Sequence, residues 1–216
     1  VQVFPVPPSP RAGGDAEAPP SPVAVLALQG DFAAHAAALA AHGLGTREVR
    51  TAAQLLAGRP PAIVLPGGES TTMLRLMEGT GLGEAITAWV AAGVPVLATC
   101  AGVILLAREV RNPAQPSLGV LNVVVERNSY GRQLESAVVP LRTAPGGGLE
   151  EPWFEGVFIR APRIVEVGEG VEILAWRGDD PVLVRQKNLL AATFHPELSP
   201  RSPVTALFAR MVQEVP

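Results

Sequence analysis

Continuous apolar runs and amphipathic segments alternate along the first half of the chain. Residues 23–28 form an unbroken apolar run, the pattern of a strand buried on both faces. Gln29-Gly30-Asp31 turns that strand into an Ala-rich helix over 32–42, with Asp31 as its N-cap and Gly43 at its end. A short strand over 46–50, a helical segment over 52–57 and a strand over 62–65 follow. Another apolar run starts behind Gly93 and Pro95 and passes at Cys100 into good helix formers that reach Ala107. Strands alternating with helices predict parallel pairing through right-handed crossovers.

The second half carries a different rhythm. Residues 111–118 hold two prolines and read as a loop. Short strands are predicted over 120–127, 133–141, 156–159, 164–167, 171–176, 181–186 and 189–194. They predict a mostly antiparallel addition to the central sheet. Residues 143–151 predict a mobile Gly-rich surface loop, and the Gly cluster at 79–83 predicts another loop. A final amphipathic helix over 203–212 places Val204, Leu207, Phe208 and Met211 on one face. The class expected is α/β, a sheet with a mostly parallel centre and added antiparallel strands.

Composition narrows the partners. The 216 residues suffice for one domain with a sizeable core, and 48% hydrophobic content with 5% aromatics suits an Ala/Val/Leu-rich α/β protein. A net charge of −3 gives no basic patch for nucleic acid or an anionic membrane. One cysteine forms no internal disulfide, as expected in a reducing cytoplasm, and no apolar run approaches a membrane span. Residues 1–22 carry seven prolines and predict a disordered extension. Its first residue is Val, as an alternative start codon would leave it. The catalytic domain is expected over 23–216.

The single cysteine sits where the fourth apolar run meets its helix, within Thr99-Cys100-Ala101-Gly102. A lone cysteine is ordinarily a structural core residue. Small neighbours on a strand-to-helix turn instead predict a nucleophile elbow, with free helix N–H groups beside the thiol. His35 and His42 are expected on a helix surface. His195 closes the apolar strand Ala191-Ala192-Thr193-Phe194, two residues before Glu197. In extended chain such residues share a side, so Glu197 can hold the His195 ring while the other ring nitrogen faces the thiol. Pro66-Gly67-Gly68-Glu69-Ser70 follows another strand and opens a helix, so Gly68 and Ala101 N–H groups are candidates for an oxyanion hole. The histidines and Cys100 do not cluster as metal ligands.

Thr99-Cys100-Ala101-Gly102 followed by Phe194-His195-Pro196-Glu197 resembles the class I (triad) glutamine amidotransferases. Four further stretches resemble the glutaminase subunits of pyridoxal 5′-phosphate synthases: Leu26-Ala27-Leu28-Gln29-Gly30-Asp31, Leu65-Pro66-Gly67-Gly68-Glu69-Ser70-Thr71-Thr72-Met73, Glu126-Arg127-Asn128-Ser129-Tyr130-Gly131-Arg132-Gln133, and Gly156-Val157-Phe158-Ile159-Arg160-Ala161-Pro162. The resemblance spans residues 23–215. It implies a Cys100–His195–Glu197 triad that hydrolyses L-glutamine and delivers ammonia to a synthase subunit in a hetero-oligomer. It places glutamine against Gly68, Glu69, Ser70, Arg127, Ile159 and Arg160, with Arg132, Gln133 and Ser136 as weaker candidates. It further implies a three-layer, flavodoxin-like α/β sheet, a Gly67-Gly68 peptide that flips, no cofactor and a cytoplasmic protein. Two departures stand out: Ala98 where the family's elbow usually has Gly, and the lengthened loop around Gly146.

Overall fold

Strand β1 (Val23–Leu26) is buried along its whole length and divides its side chains between two cores. Ala24 and Leu26 join one apolar cluster, Val23 and Val25 the other. That division, repeated on neighbouring strands, makes a sheet covered on both faces. The structure, a computed structural model, describes residues 21–127 and 137–214. Most of the extension expected at 1–22 therefore lies outside the described residues. So do residues 128–136, which include Arg132, Gln133 and Ser136.

The first half runs α1 (Phe32–Ala40), β2 (Thr46–Val49), α2 (Ala52–Gly58), β3 (Ile63–Leu65), α3 (Ser70–Met77), α4 (Leu82–Ala91), β4 (Val96–Thr99) and α5 (Ala101–Leu106). The second runs β5 (Ala107–Arg111), β6 (Leu121–Glu126), β7 (Ala137–Thr143), β8 (Trp153–Phe158), β9 (Arg163–Val167), β10 (Glu172–Arg177), β11 (Asp180–Gln186), β12 (Leu189–Ala192), a 3-10 turn (Pro196–Leu198) and α6 (Pro203–Gln213). Among the described residues, nine strands form one sheet in the order β2-β1-β3-β4-β12-β11-β10-β7-β8. Pairing is parallel from β2 through β12 and antiparallel from β12 to β8. Leu39 of α1 and Val204, Leu207, Phe208 and Met211 of α6 pack on one face. Helices α2 to α5 cover the other. This is the α/β architecture that the alternating runs predict, in the three layers that the resemblance implies.

Four local features differ from the sequence reading. Ala107 opens β5 rather than ending a helix, because β6 pairs with it in parallel. β5, β6 and β9 form a separate three-stranded sheet instead of joining the central one. Helix α4 begins within the Gly cluster, with Gly81 as its N-cap and Leu82, Ala85, Ile86 and Trp89 buried on one face. The loop expected to be mobile at 143–151 is tied down: Thr143 Oγ1 donates to the Glu151 carbonyl at 2.7 Å, and Arg210 of α6 donates to the Gly148 carbonyl at 2.7 Å. Among the described residues, no helix is long and apolar enough to cross a membrane.

Candidate active site

Three neighbouring parallel strands deliver the chemistry to one edge. Leu65 of β3 pairs with Ala98 of β4, and Ala98 and Thr99 pair with Ala191 and Ala192 of β12. The carboxyl ends of these strands are thus level, where ligands of open parallel sheets bind. Pro66-Gly67-Gly68 leaves β3, Cys100 leaves β4, and the chain beyond β12 carries His195. The Cys100 N–H donates to the Ala192 carbonyl at 2.9 Å, and the His195 N–H to the Val157 carbonyl at 2.8 Å.

Cys100 has φ 47° and ψ −104°, a conformation that L-residues avoid. This is the strained elbow expected from its small neighbours. A Cβ on Gly102 would run into the backbone carbonyl of Leu65, so the helix after the nucleophile seats against β3 only without a side chain there. Gly67 is equally constrained: a Cβ would collide with the His195 ring and lie 3.2 Å from the Cβ of Cys100. The glycine loop therefore passes directly over the thiol and imidazole. Ala98 is fully buried within β4, so alanine fits as strand backbone where the family usually has Gly.

His195 Nδ1 donates to Glu197 Oε1 at 2.7 Å, which leaves Nε2 for the thiol. Burial works against the imidazolium, but hydrogen bonding to Cys100 and Glu197 outweighs it and carries the His195 pKa up to about 10. Burial likewise opposes ionisation of Glu197, yet hydrogen bonds from His195 and His35 hold its carboxyl down at about 2. The pair thus favours a protonated ring beside an ionised carboxylate. Once it has taken the thiol proton, such a ring keeps it and leaves the sulfur as the nucleophile.

The remaining sequence candidates fall around this centre. Ile159 presents its carbonyl oxygen 3.9 Å from Cys100 Sγ, and Arg160 follows with a positive φ of 45° and an exposed side chain. Arg127, largely buried, donates to Glu69 Oε1 at 3.1 Å and Thr71 Oγ1 at 3.0 Å. Glu69 caps α3 through the Thr71 N–H at 3.3 Å. Ser70 turns its hydroxyl to Gln115 Oε1, 3.1 Å away, so its side chain is already engaged.

Sequence reasoning missed three participants. The Gln29 amide oxygen accepts the Glu69 N–H and thereby braces the glycine loop. Thr99 and His35 form part of the buried cluster behind the triad. His35 corrects the expectation of a surface histidine: it is 1% exposed, whereas His42 lies exposed beyond α1 as expected. The missed signal is spacing, since His35 and Leu39 lie four residues apart on the buried face of α1. Among the described residues no group of three or more His, Cys, Asp and Glu side chains is placed to hold a metal ion.

A thiol on a strained elbow, an imidazole and a carboxylate at one edge of an α/β sheet have the arrangement of a cysteine-dependent acyl-transfer enzyme. The chain belongs to the SNO glutamine amidotransferase family, which it matches over residues 25–214. The pyridoxal 5′-phosphate synthase subunit PdxT of Thermotoga maritima is 46% identical over 191 residues, covering 88% of this chain and 99% of that protein. The subunit of the same name from Pseudothermotoga lettingae is 50% identical over 177 residues, covering 82% and 88%. A solved glutamine amidotransferase structure superposes with a TM-score of 0.79 at 46% identity, covering 88% of this chain and 98% of its own.

Proposed function

We propose that this chain is the glutaminase subunit of a pyridoxal 5′-phosphate synthase, working in the cytoplasm with a synthase subunit in a hetero-oligomer. The observation that carries the reading is His195, held by Glu197 through Nδ1 and packed with Cys100 beneath Gly67. Family membership and the PdxT relatives supply the substrate class and partner.

With its proton already held by His195, the Cys100 thiolate attacks the side-chain amide carbon of L-glutamine. The N–H groups of Gly68 and Ala101 take the developing oxyanion. His195 returns the proton to the amide nitrogen, the C–N bond breaks, and ammonia leaves a glutamyl thioester. His195 then takes a proton from water, hydroxide adds to the thioester carbon, and glutamate departs as the thiol is restored. Glu197 keeps the ring oriented throughout. Gly68, Glu69, Ser70, Arg127, Ile159 and Arg160 form the glutamine site, with the arginines suited to the α-carboxylate. Residues 23–216 make the catalytic domain. The chemistry uses side chains and backbone alone, and no cofactor enters it. Ammonia passes to the synthase for pyridoxal phosphate formation.

The test is ammonia release from glutamine by the purified protein with and without its synthase, alongside Cys100→Ala. The expected result is activity stimulated by the partner and abolished by the substitution. Activity that survives Cys100→Ala overturns the mechanism.

A further inference from the structure

His35 is a buried imidazole that the hydrolytic steps do not use. It projects from α1, which packs against the 3-10 turn carrying Glu197. Its Nε2 lies 3.1 Å from Thr99 Oγ1 and 3.4 Å from Glu197 Oε1. Thr99 is fully buried and immediately precedes the nucleophile. One ring nitrogen thus touches both the triad's acid and the last residue of the strand that presents its thiol.

The chemistry of the partners fixes the hydrogen. An ionised carboxylate only accepts, so Nε2 must carry a proton to stand beside Glu197. The Glu197 side chain is 1% exposed, and Oε2 has no hydrogen-bond partner among the described residues. Its two histidine partners both reach Oε1. A buried carboxylate so sparsely held is costly unless each partner is present. Without His35, Glu197 would keep only His195, and the carboxylate could turn to offer either oxygen. The imidazole would then lose the fixed direction in which it meets the thiol.

We propose that His35 is a positioning residue, binding the Glu197 carboxylate to the Thr99 end of β4 so that His195 is held in the orientation that serves Cys100. This rests on the triad reading above. His35 touches no reacting atom, so its loss should slow the chemical step and leave glutamine binding in place. Partners that orient a catalytic or ligating group from behind are typically worth about 10–100-fold.

The experiment is steady-state glutaminase kinetics of the full chain with its synthase, for wild type, His35→Ala, His35→Gln, Thr99→Val and Cys100→Ala. Gln keeps an N–H donor at about the reach of Nε2. The expected result for His35→Ala is a kcat lower by about 10–100-fold with KM for glutamine within about twofold. His35→Gln should recover most of that loss. If His35→Ala does not fold, the isosteric Thr99→Val and the His35→Gln protein carry the test through the same split between kcat and KM. Wild-type kcat in His35→Ala overturns the inference, as does a joint fall in kcat and rise in KM that Gln fails to rescue. Activity surviving Cys100→Ala overturns the underlying triad, an outcome read from a separate arm.

Discussion

His195 and Glu197 carry opposite proton preferences that stability measurements can read. His195 is raised from 6.5 to about 10 by its hydrogen bonds to Cys100 and Glu197, against the opposing effect of burial. The folded protein therefore binds that proton more tightly than the unfolded chain. Its contribution is complete below pH 6.5 and is lost as pH rises through about 10. Glu197, lowered from 4.5 to about 2, contributes fully above pH 4.5 and loses its share as pH falls toward about 2. The thermal midpoint of wild type relative to His195→Gln should therefore decline from pH 6.5 to about 10. A difference that stays flat over that range contradicts the assignment. The residues that set these values were unequally legible. Cys100, His195 and Glu197 stand out because strand ends and small neighbours have local sequence signatures. His35 does not, because its partners lie 64 and more residues away and only the fold brings them together.

Helix α5 shows how little room an elbow leaves. All six of its residues are buried, and Gly102 lies against the carbonyl of Leu65. Alanine is the better helix former by about 1 kcal/mol. Here a backbone oxygen would have to move, and overpacking of that kind costs about 1–3 kcal/mol. Gly102→Ala should therefore lower stability in a denaturant titration and also depress kcat, since the same shift displaces Cys100. A variant as stable as wild type would show that α5 has slack. Elements buried on both faces, such as β1, β3 and β4, were readable from unbroken apolar runs. The assignment of β5, β6 and β9 to their own sheet was not. β5 and β9 are only partly buried and β6 has an apolar run that would suit any buried strand, so the choice of neighbour rests on contacts across the chain.

At the scale of the whole molecule, Arg127 joins the small sheet to the glycine loop. It follows β6 and reaches Glu69 and Thr71 at the start of α3, 58 and 56 residues away in sequence. A charge-assisted contact of this kind is worth roughly 1.5–3 kcal/mol. Arg127→Ala should raise KM for glutamine roughly tenfold or more, through loss of both the proposed carboxylate-binding group and the brace on Glu69. Unchanged KM would remove Arg127 from the glutamine site.

β12 is the last strand in sequence among those described, yet it lies near the middle of the sheet, between β4 and β11. A chain emerging from the ribosome therefore exposes the thiol on β4 well before the histidine, about 95 residues later, has been made. Until then β4 is an open edge and the nucleophile has no base. In the finished sheet β12 covers that edge, and the chain just beyond it carries His195 and Glu197. Closure of the sheet and supply of the proposed base are thus tied to one short stretch of chain.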